Sequence, residues 1–272
     1  TQASIITIGD ELLIGQVIDT NSAWMAQQLN IAGIKVLRRV AVGDAWEEIW
    51  KALDEESKHV DIILITGGLG PTADDITKPL LNKYFNGKLI VDEGALQNVK
   101  HIFEKVLNRP MIESNLKQAE VPDTCKVIQN KRGTAPGMWF EKEGKVFVSM
   151  PGVPFEMKGM MNDFVIPELS THFIFPHITH RTLLTVGIGE SFLAEKIKEF
   201  ETGLPTQIKL AYLPNYGMVR LRLTSVGFDR IAVEKEIQEY FETLQQLVKD
   251  YLVTDLDEPM EKVTGKLLIA RN

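Results

Sequence analysis

The stretch Thr66 to Thr77, T-G-G-L-G-P-T-A-D-D-I-T, decides how the first part of the chain folds. Upstream, the apolar run Val60 to Ile65 has the length and branched composition of a buried strand, and downstream the chain regains helical character. The glycines therefore sit at a strand-to-helix turn. Gly67, Gly68 and Gly70 lack Cβ atoms, so backbone N–H groups can approach a phosphate closely while the following helix N-terminus adds a favourable dipole. Asp74 and Asp75 would repel a bare phosphate, which calls for a divalent cation between carboxylate and phosphate. An ordinary βα turn punctuated by glycine is the alternative that the loop alone leaves open.

Before this loop, Ser4 to Ile8 reads as a strand ending in Gly9-Asp10-Glu11. Ligands of open α/β sheets gather beyond the carboxyl ends of strands, so Asp10 is either a site residue or a helix cap. Asp19-Thr20-Asn21 supplies an N-cap cluster for a helix with Trp24, Met25 and Leu29 on its core side, and Gly33 ends it. Ile34 to Val42 is the next strand, and Gly43-Asp44 opens a helix through Trp46, Ile49 and Leu53, with Asp44 an N-cap or a second site residue. This β-α-β-α-β alternation predicts a three-layer, doubly wound, mostly parallel sheet. It brings Asp10, Asp44 and Asp75 to comparable strand ends.

Further on, Glu113 to Ala119 forms a short helix displaying Asn115 and Gln118, either surface polar residues or amides that read a ligand. Gly133-Thr134-Ala135-Pro136-Gly137 precedes a hairpin from Met138 to Ser149 that edges the sheet, with Glu143-Gly144 near its turn. Its second strand runs into the backbone-exposing turn Met150-Pro151-Gly152-Val153-Pro154, then a helix through Phe155, Met157, Met161 and Phe164 whose methionines fill core. From Arg181 a strand, a helix, two strands and a long helix predict a small α+β domain. In Val219-Arg220-Leu221-Arg222-Leu223 the alternation puts aliphatics on one face and both arginines on the other. The expected division is residues 1–170, residues 177–255, and a linker with the start of a further region at 256–272.

The composition, 44% hydrophobic and 25% charged over 272 residues, is that of an ordinary globular protein. A net charge of −7 argues against nucleic acid or an anionic membrane as partner. The single cysteine, Cys125, excludes an intrachain disulfide and points to a reducing, cytoplasmic location. No apolar run is long enough to span a bilayer. No G-K-[ST] follows the glycine loop, so it is not the Walker A loop of motor ATPases.

Several motifs in order carry a family resemblance: G-D-E-L-L-I-G at Gly9 to Gly15, D-T-N at Asp19 to Asn21, V-G-D at Val42 to Asp44, the T-G-G loop, G-T-A-P-G at Gly133 to Gly137 and P-G-V-P-F-E-M at Pro151 to Met157. Together they resemble CinA, the competence/damage-inducible protein family. The first domain is similar to the molybdopterin-binding fold of the MogA and MoaB proteins, and Arg181 to about Val253 resembles the family's KH-like module, here without a G-x-x-G loop. The resemblance implies a metal-dependent ADP-ribose pyrophosphatase giving AMP and ribose 5-phosphate in pyridine-nucleotide salvage, or else a pterin-phosphate-binding module without hydrolysis. The implied site has Asp44, Asp75 and Asp10 as catalytic carboxylates and Asp75, Asp44 and Asp74 as ligands of Mg²⁺, Mn²⁺ or Co²⁺, with Asp75 ahead of Asp74. Gly67, Gly68, Gly70, Thr72, Asn115, Pro151 and Gly152 would hold the nucleotide sugar. A homodimer is implied as well. The family often carries a C-terminal domain that deamidates nicotinamide mononucleotide; Glu258 to Asn272 resembles the leader into it, and the expectation is that this chain lacks it.

Overall fold

A computed structural model of the chain describes residues 1–270 apart from Ala73, Asp257 and Pro259. The expected linker runs through Asp257 and Pro259 and ends at Arg271 and Asn272, all outside the described residues. Two compact units are present, Thr1–Phe175 and Pro176–Asn272.

The first unit runs β1 (Gln2–Ile8), α1 (Asp10–Leu13), α2 (Thr20–Ile31), β2 (Lys35–Val42), α3 (Trp46–Ser57), β3 (Ile62–Thr66), α4 (Thr77–Tyr84), β4 (Leu89–Val91) and α5 (Glu93–His101). It continues through a π-helical turn Ile102–Val106, α6 (Glu113–Leu116), a 3₁₀ turn Lys117–Ala119, β5 (Glu120–Pro122), β6 (Lys126–Ile128), β7 (Gly137–Lys142) and β8 (Lys145–Met150). Helix α7 (Pro154–Met160), a second π-helical turn Met161–Val165 and α8 (Ile166–His172) complete it.

Six strands form one sheet in the order β2-β1-β3-β8-β7-β6. The pairings β1–β2, β1–β3 and β3–β8 are parallel, whereas β7–β8 and β6–β7 are antiparallel. The expected hairpin is β7–β8, turned at Glu143 and Gly144, which both have positive φ. It does not edge the sheet. The three-residue β6 takes the edge, because β8 inserts beside β3 and is buried along nearly its whole length.

Alternate residues of the central strands face two separate cores. Ile6, Ile63, Ile65 and Phe147 pack with Ile49 and Leu53 of α3 and Leu80 and Leu81 of α4. Ile5, Ile62, Leu64 and Val148 pack with Met25 and Leu29 of α2 and with Met157, Met161, Val165 and Leu169. The unit is thus three layers, with the methionines in the core as expected. Pro167 follows directly on the π-helical turn Met161–Val165, and the chain stays helical to His172.

The second unit has β9 (His177–Val186), α9 (Glu190–Thr202), β10 (Ile208–Asn215), β11 (Met218–Gly227), α10 (Arg230–Leu247), β12 (Leu252–Thr254) and α11 (Met260–Ala270). Its sheet, β10-β11-β9-β12, is antiparallel throughout. Val219, Leu221 and Leu223 face a core with Leu193, Ile197, Ile237, Phe241 and Leu244. Arg220 and Arg222 are half-buried on the opposite face, and Arg220 donates to the Glu258 carbonyl at 2.9 Å. No helix among the described residues is long and apolar enough to cross a membrane.

Candidate functional site

The C-terminal ends of β1, β2, β3 and β8 converge on a pocket of about 430 Å³. Its glycine loop is fixed by close backbone approaches. Gly67 has φ 114° and donates to the Met150 carbonyl at 3.2 Å, and a side chain there would collide with the Ile8 carbonyl. Gly68 has φ 64° and lies directly against the Thr77 hydroxyl. The Gly70 amide donates to Asp75 Oδ1 at 2.8 Å. Among the described residues, the amides of Gly68 and Leu69 donate to no protein acceptor, whereas those of Gly67 and Gly70 are engaged within the protein.

Asp75 faces its own loop. Its Oδ2 accepts from the Thr72 amide at 2.9 Å and from the Thr72 hydroxyl, while Oδ1 takes the Gly70 amide. Both oxygens are therefore occupied in shaping the turn. Asp74 is exposed and, like Asp75, lines the pocket.

Asp44 does not cap α3, whose N-cap is Ala45 without a side-chain bond. Instead the Asp10 amide donates to Asp44 Oδ2 at 3.0 Å and the Asp44 amide donates to Asp10 Oδ1 at 3.2 Å. This reciprocal clasp ties the loop after β1 to the loop after β2. Asp10 is the first residue of α1 rather than its cap, which is Gly9. Burial pushes the Asp44 pKa up against the opposing Asp10 amide, and the nearby carboxylates of Asp10, Glu11 and Asp74 push it further.

The far wall is the Pro151-Gly152 turn, pinned by Thr66, whose hydroxyl donates to the Pro151 carbonyl at 2.8 Å, and by Asn21, whose Nδ2 donates to the Gly152 carbonyl at 2.7 Å. The D-T-N motif thus has two tasks, since Asp19 caps α2 by accepting from the Ser22 amide at 2.9 Å. Thr134, Ala135 and Glu156 close the remaining side. Asn130 Nδ2 donates to the Ala135 carbonyl at 2.9 Å and to Glu156 Oε2 at 2.6 Å. Burial raises the Glu156 pKa, partly offset by that Asn130 bond.

Of the expected site residues, Gly67, Gly68, Gly70, Asp44, Asp74, Asp75, Pro151 and Gly152 line this one pocket. Asp10, Thr72 and Asn115 do not; Asp10 and Thr72 act on lining residues, and Asn115 is buried with its Oδ1 accepting from the Ile112 amide at 3.2 Å. Glu11 and Glu156 line the pocket and stood outside the expected set, and Gln118, weighed as a surface polar residue or a ligand-reading amide, lines it as well. Glu156 was legible only as part of P-F-E-M, where a glutamate in a first helical turn looks like a dipole partner.

The carboxylates that line the pocket are Glu11, Asp44, Asp74, Asp75 and Glu156, and no Lys, Arg or His joins them among the described residues. No group of three or more His, Cys, Asp or Glu among the described residues is placed as a metal cage.

Residues 4–171 match the family described as "Probable molybdopterin binding domain", and residues 180–254 match "Damage-inducible protein CinA KH domain". A CinA-like protein of Flavobacterium psychrophilum is 48% identical over 98% of this chain, and one of Cytophaga hutchinsonii is 43% identical over 99%. This chain spans 64% of the length of each. A crystal structure of the protein CinA of Thermoplasma acidophilum, 34% identical, superposes with a TM-score of 0.54 over 60% of this chain and 95% of that one. The chain belongs to the CinA-like family, with a region matching the probable molybdopterin binding domain followed by a CinA KH domain.

Proposed function

We propose that the pocket hydrolyses the diphosphate of ADP-ribose to AMP and ribose 5-phosphate with the help of a divalent cation, Mg²⁺, Mn²⁺ or Co²⁺. The observation that carries this reading is the lining: two unpartnered loop amides beside carboxylates, with no cationic side chain among the described lining residues. Apart from the loop amides, a diphosphate entering alone would meet side chains of like charge, so its charge must be compensated by a cation that enters with it. The donor set fits. Hard cations such as Mg²⁺ take one or two carboxylates and complete their shell with substrate phosphate and water, so a three-carboxylate cage is not needed. Asp44 and Asp74 are the residues that would hold the cation.

When bound, the cation polarises the phosphoryl group and neutralises developing charge. The chain supplies the rest. Gly68 and Leu69 amides orient one phosphate, Asp10 holds Asp44 in place, and Asp75 keeps the loop open. Glu156, with its raised pKa, takes the proton of the attacking water as the new P–O bond forms and the anhydride P–O bond breaks. Incubation with ADP-ribose and each cation tests this by chromatography of the products. AMP is expected; no AMP with any of the three, from folded protein, would sink the reading.

The matched description of residues 4–171 favours a second reading, a pterin-phosphate-binding module without hydrolysis. Calorimetric titration separates the two, since tight pterin binding with ADP-ribose left intact selects the second. For location, we keep the cytoplasm, which fits a lone Cys125 whose burial pushes the thiol up to about 12 and so keeps it unreactive.

A further inference from the structure

Gln118 sits on the 3₁₀ turn Lys117–Ala119, is 5% exposed and lines the pocket. Its Oε1 is sealed from solvent and accepts from no donor among the described residues. A buried carboxamide oxygen left without a donor is destabilising. The turn is firmly held, however. Lys78 Nζ donates to the Lys117 carbonyl at 3.2 Å and to the Gln118 carbonyl at 3.0 Å. The neighbouring buried amide, Asn115, has its oxygen satisfied within the segment, so the unpaired state of Gln118 is not a property of the whole turn.

We propose that Gln118 is a specificity residue whose carboxamide accepts a hydrogen bond from an O–H or N–H group of the bound nucleotide, on its sugar or on its base. The proposal rests on the pocket being the nucleotide-diphosphate site described above. Gln118 is the one carboxamide among the described lining residues, so its oxygen is an uncharged acceptor beside five carboxylates and the Thr134 hydroxyl. Rotation about the Cγ–Cδ bond is the freedom that would turn the oxygen toward a ligand donor. A site built this way discriminates strongly, because an analogue that lacks the donor leaves the buried oxygen unpaired again.

The test combines Gln118→Leu, close to the original in size, with an ADP-ribose analogue whose phosphates are bridged by methylene, so that binding is read without turnover. Without ligand, the variant should unfold at the same temperature as wild type or higher, since an unpaired polar group is replaced by an apolar one. Its affinity for the analogue with Mg²⁺ should fall roughly tenfold to a hundredfold. Deoxy-sugar analogues and a hypoxanthine analogue then locate the donor: the one lacking it binds wild type and variant alike. Unchanged affinity in the variant overturns the proposal, as does a lower unfolding temperature with intact affinity, which marks a structural role. Should Gln118→Leu fail to fold, the analogue series on wild type decides, because equal affinity for every analogue overturns the proposal. If wild type binds no nucleotide at all, the proposed function falls and takes this proposal with it; binding that ignores residue 118 overturns the proposal alone.

Discussion

Asp75 is engaged by its own loop, whereas Glu156, unremarkable in sequence, lines the pocket. Asp75 stands in the conspicuous Asp-Asp pair, yet its oxygens serve the Gly70 amide, the Thr72 amide and the Thr72 hydroxyl. Asp75→Ala leaves those donors without their acceptor, so it should cost about 1–3 kcal/mol in denaturant melts as well as abolish AMP release. A residue acting only as a cation ligand would lose activity without that loss of stability. Glu156 gives an opposite signature. Its folded pKa is raised, so its stabilising contribution is complete below the ordinary glutamate value and is lost as pH rises through the folded value. At neutral pH the charged form is therefore a burden on the fold. Glu156→Gln should melt higher than wild type at pH 7, no differently at pH 4, and release no AMP. Thermal melts across pH 4–8 check the sign.

At the scale of elements, the strand-to-helix order around the glycine loop was legible because glycine and apolar runs are local signals, although the strand is Ile62–Thr66 rather than Val60 to Ile65 and the helix starts only at Thr77. Asp44 was not, because a cap and a cross-loop clasp look alike until the loop after β1 is in place. The edge strand was hidden for a different reason. Lys126–Ile128 is too short to show a period of two, so the longer hairpin looked like the edge. Positive-φ glycines at two turns make a controlled comparison. Gly67→Ala adds strain and a collision with the Ile8 carbonyl, so it should lose more than about 1 kcal/mol and lose activity. Gly144→Ala has φ 75° but open space around it, so it should cost about 1 kcal/mol at the hairpin while AMP release persists. Equal activity in both variants would detach the glycine loop from the chemistry.

For the whole molecule, each unit carries its own core, and the second unit matches a KH domain while lacking the G-x-x-G loop by which such modules clamp nucleic acid. We propose that it serves assembly rather than RNA binding. Light scattering should give twice the 30.6 kDa chain mass, and a monomer at all concentrations would contradict the homodimer. Fold class and domain order were readable from motif spacing, since alternating βα units admit few topologies. The charge balance of the pocket was not, because Glu11 and Glu156 are far apart in sequence and only the folded sheet brings both to one cavity. That balance underlies the central claim, that the carboxylate-lined pocket accepts a diphosphate only in company with a divalent cation. Calorimetric titration of the methylene-bridged ADP-ribose analogue, with and without Mg²⁺, tests it most directly. Binding that appears with Mg²⁺, vanishes on chelation and is lost in Asp44→Ala is the predicted result. Equal affinity with and without the cation would contradict it.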